Sequence, residues 1–212
     1  MLGDGILTIG LHDVEFDSPA ITFVQKDLAT TARRMTDSGF DFTKLQLDED
    51  RFNQLALRDR DKHAISMLEA RTFTWGDEFD DDSALGTFIE LTLPLRDTVH
   101  AAVFGAAVAT TVLEVREEPT THMRFDVGGM PVGLSESIAL SGPSLCFRCH
   151  DREALMKLVA RDNLPHQEFP GFEGAFMALK APEGTMLYAF DEDFLGEAYE
   201  VDESDDLSEF PG

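Results

Sequence analysis

The stretch THMRFDVGGMPVGL, residues 121–134, decides the fold, because it has the pattern of two consecutive strands joined by a tight turn. Apolar residues occupy every second position over 123–127 and again over 132–134, so that each set lies on one face of a strand. The pair Gly128-Gly129 between them is typical of a hairpin turn. A hairpin joins antiparallel strands, and this stretch therefore predicts an antiparallel pair.

Similar alternation predicts further strands on both sides of this hairpin. We place them at residues 7–16, 21–24, 87–93, 145–149, 172–179 and 186–190. Residues 108–115 fit either a buried strand or a helix, because periodicity does not separate the two in so short a run. Since several of the links are hairpin-sized, we expect a largely antiparallel sheet.

Helical patterns cover residues 26–36, 48–71 and 151–162. The second of these opens with acidic residues, which suit a helix N-terminus, but a polar run over 58–63 leaves room for a break. We predict one α+β domain over residues 1–190, with a mainly antiparallel sheet and two or three helices, followed by an acidic C-terminal extension over 191–212. No internal sequence repeat is visible.

Acidic residues dominate the charge of the chain. Among 212 residues there are 41 acids and 17 bases, which gives a net charge of −24. The extension over residues 191–212 contributes ten acids and no base, and the first 190 residues alone carry −14. Such a field repels nucleic-acid phosphates and anionic lipid surfaces, and it attracts basic proteins. We therefore expect a basic protein partner and no membrane, and we disfavour nucleic acid as a partner.

The start of the sequence lacks a basic segment followed by a long apolar one, as a targeting signal would have. The longest weakly polar run, residues 101–115, is too short to span a bilayer. From this we expect a cytoplasmic or intravirion location with reduced thiols. The sequence does not predict the oligomeric state.

The segment Cys146-Phe147-Arg148-Cys149-His150 matches the C-x-x-C-H pattern of c-type haem attachment. Alternation around it predicts a strand, and residues three apart on a strand point to opposite faces. The two thiols then diverge, and we interpret them as buried, inert side chains rather than as haem, redox or zinc ligands. We predict no cofactor.

Asp13, Glu15 and Asp17 share one face of a predicted strand, and three converging carboxylates could hold Mg²⁺ or Mn²⁺. The simpler interpretation is a solvated face, since acids are frequent throughout this chain. With Cys146, Cys149 and His150, they are the candidate ligands for a metal. The common sequence motifs of nucleotide binding, serine nucleophiles and zinc hydrolases are missing, although a catalytic triad can also assemble from distant residues.

The extension mixes acids with a few hydrophobic residues, a composition that docks into basic, apolar-lined grooves. The residues that we expect to contact such a partner are Tyr199, Asp202, Asp205, Asp206, Leu207 and Phe210. Over about ten residues the end of the chain resembles the acidic tips of single-stranded-DNA-binding proteins, with Asp205, Asp206 and Phe210 as the matching positions. It departs from them in ending Pro-Gly, and the body lacks the basic, aromatic-lined groove that such proteins need.

We predict from these features a non-catalytic protein-binding or assembly subunit that recognises a basic protein surface, as an inhibitor, an immunity-type protein, a nucleic-acid mimic or a structural component. The alternatives are a single-stranded nucleic-acid-binding protein with an acidic tail, and a metal-dependent enzyme.

Overall fold

The computed structural model describes residues 2–3, 8–9, 20–48, 52–58, 64–70, 83–109, 111–117, 121–136, 140, 142–169, 173–182 and 184–192. Two short strands, β1 (Leu2–Gly3) and β2 (Thr8–Ile9), pair near the start. The remaining elements form three units, each with the order strand, helix and three strands.

The three units follow one another along the chain. The first unit consists of β3 (Ala20–Gln25), α1 (Leu28–Asp37), β4 (Lys44–Gln46), β5 (Gln54–Arg58) and β6 (Ala64–Glu69). The second consists of β7 (Thr87–Pro94), α2 (Thr98–Val108), β8 (Thr111–Arg116), β9 (His122–Val127) and β10 (Met130–Ser135). The third consists of β11 (Ser144–Cys149), α3 (Arg152–Asp162), β12 (His166–Gln167), β13 (Phe176–Lys180) and β14 (Met186–Asp191).

All three units share one topology, in which the last strand pairs in parallel with the first and the other pairs are antiparallel. The first unit forms a four-stranded sheet with the order β3-β6-β5-β4. The second and third units join through the antiparallel pair β7–β11 into an eight-stranded sheet with the order β12-β13-β14-β11-β7-β10-β9-β8. The chain thus has a structural repeat that its sequence does not show.

The predicted fold class is confirmed. The described residues form an α+β fold with three helices and a mostly antiparallel sheet. The hairpin over 121–134 is present as β9 and β10, and both glycines of its turn, Gly128 and Gly129, have positive φ. The division into a domain over 1–190 and an extension over 191–212 stays a prediction, and residues 193–212 lie outside the described residues.

Two of the three predicted helices are present. Helix α1 begins after Asp27, whose side chain accepts a hydrogen bond from the Thr30 amide, and α3 begins in the same way after Asp151. The helix predicted over 48–71 is wrong, because this segment contains strands β5 and β6. Leu55, Leu57, Ile65 and Met67 are buried at period two. The ambiguous run over 108–115 divides into the last residue of α2 and the strand β8.

The eight-stranded sheet buries side chains on both faces. On the face that packs against the helices lie apolar residues such as Leu91, Phe125 and Val132, together with Val159 of α3. The opposite face is called the second face from here on. It carries Glu90, Thr92, His122, Arg124, Cys146, Ala178 and Tyr188. None of the described helices has the length and apolar character needed to cross a membrane.

Candidate functional site

A bulge in β7 brings a carboxylate onto the second face. Glu90 pairs with Cys146 of β11, but the next pair is Phe88 with Phe147, so β7 has one extra residue, Ile89. Phe88 packs in the core on the helix face, whereas Ile89 packs beside Cys146. Bulges of this kind are frequent next to functional sites, where they redirect a side chain.

Glu90 meets an imidazole and a guanidinium at the centre of this face. Its Oε2 atom lies 3.4 Å from Nε2 of His122 and 3.3 Å from Nε of Arg124. Only 3% of Glu90 and 5% of His122 are exposed. Within the described residues, neither Glu90 Oε2 nor His122 Nε2 has a partner with hydrogen-bond geometry, so the two atoms approach each other without a good hydrogen bond. Buried polar atoms left in this state are rare in folded proteins.

The other carboxylate oxygen of Glu90, Oε1, is held by a hydrogen bond. The Thr92 hydroxyl donates to Glu90 Oε1 at 2.5 Å, and Thr92 Oγ1 lies 3.3 Å from the Cys146 thiol. Burial opposes the ionisation of Glu90, but contacts with His122, Thr92 and Arg124 outweigh it and place the pKa of the carboxyl below its ordinary value. Glu90 is therefore a carboxylate at neutral pH.

Gly133 leaves the space in which Glu90 and His122 meet. This residue lies on β10 between Thr92 of β7 and Arg124 of β9. A β-carbon added to it would lie 2.4 Å from Glu90 Oε1 and 2.9 Å from Cε1 of His122, far closer than atoms pack. Position 133 therefore requires glycine, because the Glu90 carboxylate and the His122 imidazole occupy the space that a side chain would need.

A line of directly opposed residues connects Glu90 to a cleft at the far side of the sheet. Glu90 pairs with Cys146, Cys146 with Tyr188, Tyr188 with Ala178, and Ala178 with Gln167 of β12. Neighbouring strands lie about 4.8 Å apart, which places the backbone of Tyr188 about 10 Å from that of Glu90. The cleft has a volume of about 500 Å³ and is lined by both Ala178 and Tyr188.

The cysteines of the C-x-x-C-H segment lie on opposite faces of β11. Cys146 packs against Ala178 and Tyr188 on the second face, and Cys149 packs against α3. Both are buried and reduced. Burial and the nearby Glu90 charge raise the pKa of Cys146 to about 12, and burial also raises the pKa of Cys149. The two thiols therefore do not converge on one ligand.

His150, the third member of that segment, lies at the surface. Its Nε2 is 2.8 Å from the Thr87 hydroxyl, and its Nδ1 is 3.5 Å from the Glu192 carboxylate. All three side chains are exposed. The contacts tie the ends of β7, β11 and β14 together.

The other residues that the sequence suggested lie outside the described residues. These are the candidate metal ligands Asp13, Glu15 and Asp17 and the partner-binding residues Tyr199, Asp202, Asp205, Asp206, Leu207 and Phe210. Their roles stay predictions. The expectations of a basic partner and of a cytoplasmic or intravirion location also stay predictions.

Glu90, His122 and Gly133 were not singled out from the sequence, although one signal for them was present. Glu90 is a charged residue inside the apolar strand TFIELTLP, and charged residues are seldom fully buried unless they are paired. The alternation of β9 predicts that His122 faces away from the core. Nothing in the sequence indicates that β7 and β9 bring Glu90 and His122 together.

Comparisons with known proteins identify solved structures of similar fold. No family model matches the chain, and no curated protein matches it in sequence. Solved structures do match. The Mn(II)-bound glyoxalase from Novosphingobium aromaticivorans is 9% identical with a TM-score of 0.54, over 81% of this chain and 62% of that one. The 2,2',3-trihydroxybiphenyl 1,2-dioxygenase from Sphingomonas wittichii is 13% identical with a TM-score of 0.51, over 82% and 72%.

A catechol 2,3-dioxygenase gives a similar result, with 11% identity, a TM-score of 0.51 and coverage of 80% of this chain and 67% of that one. The chain thus shares its fold with these three solved enzymes. At these identities the likeness concerns the fold. The chain spans 62% of the length of the glyoxalase.

This likeness contradicts our prediction of a non-catalytic binding or assembly subunit with a structural or inhibitory role, because the proteins that share the fold are catalysts. The prediction was based on acidity and on the lack of a linear catalytic motif. Neither observation detects a site whose residues come from separate strands.

One of the matched structures, the glyoxalase, is bound to Mn(II), but the described residues of this chain do not fit a metal. Within the described ranges there is no group of three His, Cys, Asp or Glu side chains that could hold an ion. On the second face, the Cys146 thiol beside Glu90 is protonated at neutral pH, so it does not act as a third ligand. A divalent cation would also be repelled by Arg124. We therefore derive no chemistry through a metal.

Proposed function

We propose that this chain is an enzyme that catalyses proton transfer on a small organic molecule, with Glu90 and His122 as its acid–base pair. The observation that carries the proposal is the buried contact between Glu90 Oε2 and His122 Nε2 at 3.4 Å, in which neither atom has a good hydrogen bond. The fold shared with a glyoxalase and a catechol 2,3-dioxygenase supports a catalytic role for the chain.

The two groups differ in what they offer to a reaction. His122 and Arg124 hold Glu90 as an anion, which can accept a proton from a substrate; because they also lower its pKa, Glu90 is a weaker base than an ordinary glutamate. Nε2 of His122, 3.4 Å away, is placed to pass that proton on or to return it to another atom of the substrate. A carboxylate and an imidazole at such a distance suit an isomerisation, in which a proton is removed from one atom of the substrate and returned to another. They also suit an elimination, in which the electron pair of the broken C–H bond forms a double bond and the departing group takes up the proton.

The positioning of the pair favours chemistry over mere packing. Thr92 fixes one carboxylate oxygen at 2.5 Å and leaves the other facing the imidazole. Gly133 leaves both side chains the space they need. Replacing such a charged cluster by apolar residues is often neutral or stabilising, so stability alone gives little reason to bury it.

The test is a turnover screen of small compounds with two neighbouring oxygen functions. Hydroxy ketones and hydroxy aldehydes are the starting compounds, because each carries a carbon-bound proton next to a carbonyl that can be removed and returned. We expect turnover by the wild-type chain in the presence of a chelator. Glu90→Gln should lower kcat about 10²- to 10⁴-fold, the usual contribution of a general base.

A matched control separates the site from a general effect of removing a charge. Glu153→Gln makes the same chemical change at an exposed residue of α3, where the carboxylate forms an ion pair with Lys157 at 2.6 Å. This variant should keep wild-type activity, and circular dichroism should show that both variants fold. Full activity of Glu90→Gln would overturn the assignment of Glu90. Activity that appears only when a divalent metal is added would overturn a metal-independent reaction.

A further inference from the structure

An open cleft lies at the edge of the third unit. It lies against β12, β13 and β14, and its volume is about 500 Å³, within the range of small-molecule pockets. The lining residues that define its chemistry are His166, Gln167, Phe169, Ala178, Lys180 and Tyr188.

The charge of this cleft is opposite to that of the chain. The whole sequence has 41 acids and 17 bases, yet among the described residues the lining includes a lysine and a histidine and no acid. Lys180 is the last residue of β13 and is exposed to solvent. Glu168, the acid next to this lining, forms an ion pair with Arg152 at 2.8 Å. An anionic group on a ligand would therefore meet a cation here.

Aromatic rings form one wall of the cleft. Phe169 and Tyr188 line it, and Phe176 packs behind both, with ring centroids 5.0 Å from Phe169 and 6.2 Å from Tyr188. Ala178 lies opposite Tyr188 in the sheet, and its small side chain leaves room beside the rings. Flat aromatic molecules pack well against such a wall.

We infer that this cleft binds a planar aromatic molecule that carries a carboxylate, with the ring against Phe169 and Tyr188 and the carboxylate at Lys180. The inference rests on the proposed function, because it names the substrate class of the same face. Tyr188 is separated from Glu90 only by Cys146 in the line across the sheet. The cleft therefore lies on the same face of the sheet as the acid–base pair, on the other side of Cys146.

The experiment measures binding, not turnover, by calorimetric titration of the full chain. The probe is salicylate, and its neutral counterpart is salicylamide. We expect salicylate to bind about tenfold more tightly than salicylamide, as a single charge-assisted contact would give. Lys180→Met should weaken salicylate about tenfold and leave salicylamide unchanged, whereas Lys157→Met, on the exposed face of α3, should change neither.

A second variant tests the place of the ring. Ala178→Phe fills the space beside Tyr188 and should abolish the binding of both probes. Equal affinity for the acid and the amide, or salicylate binding that survives Lys180→Met and Ala178→Phe, would overturn the inference, as would the absence of binding by wild type. Glu90→Gln should bind salicylate normally, so loss of the proposed activity and loss of this site are distinguishable.

Discussion

Replacing Gly133 by alanine tests whether the second face is built around the Glu90 carboxylate. The added β-carbon would lie 2.4 Å from Glu90 Oε1 and 2.8 Å from Glu90 Cδ. The carboxylate cannot swing away without cost, because Thr92 holds Oε1 at 2.5 Å, while His122 and Arg124 lie 3.4 and 3.3 Å from Oε2. The substitution must therefore break the cluster or move β10.

The size of the effect follows from three contributions. Overpacking a buried position costs about 1–3 kcal/mol. Losing a hydrogen bond to a charged group costs about 1.5–3 kcal/mol. Removing a glycine from a strand returns about 0.5–1 kcal/mol through the unfolded chain. We expect Gly133→Ala to lower the free energy of unfolding by about 3 kcal/mol.

The assay is equilibrium unfolding in urea, followed by far-ultraviolet circular dichroism at neutral pH. Gly142→Ala is the matched control, because a β-carbon there would meet open space, and we expect a change of less than about 0.5 kcal/mol. In a Glu90→Ala background, Gly133→Ala should cost about 2 kcal/mol less than in the wild type, because the main clash is gone. A Gly133→Ala protein as stable as the wild type would refute the reasoning.

Three further predictions concern charge and thiols. The pKa of Glu90 is lowered from 4.5 in the folded protein, so its ionisation stabilises the fold above pH 4.5, and this stabilisation is lost as the pH falls through the folded pKa. Glu90→Gln lacks this contribution and should therefore lose less unfolding free energy on acidification than Glu153→Gln. Equal losses in the two variants would contradict this. Since the pKa of Cys146 is about 12, iodoacetamide at mildly alkaline pH should leave its thiol unmodified in the native protein and modify it in urea, as mass spectrometry of the peptides would show. A β-carbon on Gly86, which has φ +83°, would clash with the Arg148 carbonyl oxygen. Gly86→Ala should therefore lower the urea midpoint of unfolding far more than Gly142→Ala. Similar midpoints would contradict the close approach of Gly86 to the backbone of β11.

Much of the fold was predictable because the eight-stranded sheet follows period two. The hairpin of β9 and β10 was correct, since its apolar alternation and its two glycines agree. The segment over 48–71 was misassigned, because its acidic start favoured a helix while the alternation of Leu55 with Leu57 and of Ile65 with Met67 was overlooked. The polar run between them links two strands. Helix α2 was missed because its residues are apolar on all sides and show no periodic face.

The candidate site was less predictable, because it depends on which strands become neighbours. Glu90 and His122 are 32 positions apart in the sequence and meet only because β7 and β9 flank β10. The repeat of three units was also hidden, since its topology is shared while its sequence is not. The clearest sequence motif, the C-x-x-C-H segment, contains no converging pair of thiols, because a strand turns its cysteines apart.

The measurement that tests the central claim most directly is solvent deuterium incorporation into the substrate that the turnover screen identifies. The reaction is run in heavy water with a chelator present, and proton magnetic resonance follows the carbon-bound hydrogens of substrate and product. The account predicts deuterium at the reacting carbon with the wild-type chain and with Glu153→Gln, and its loss together with turnover in Glu90→Gln. Product that forms without deuterium, at an unchanged rate in Glu90→Gln, would contradict the claim that Glu90 and His122 move a proton on this face of the sheet.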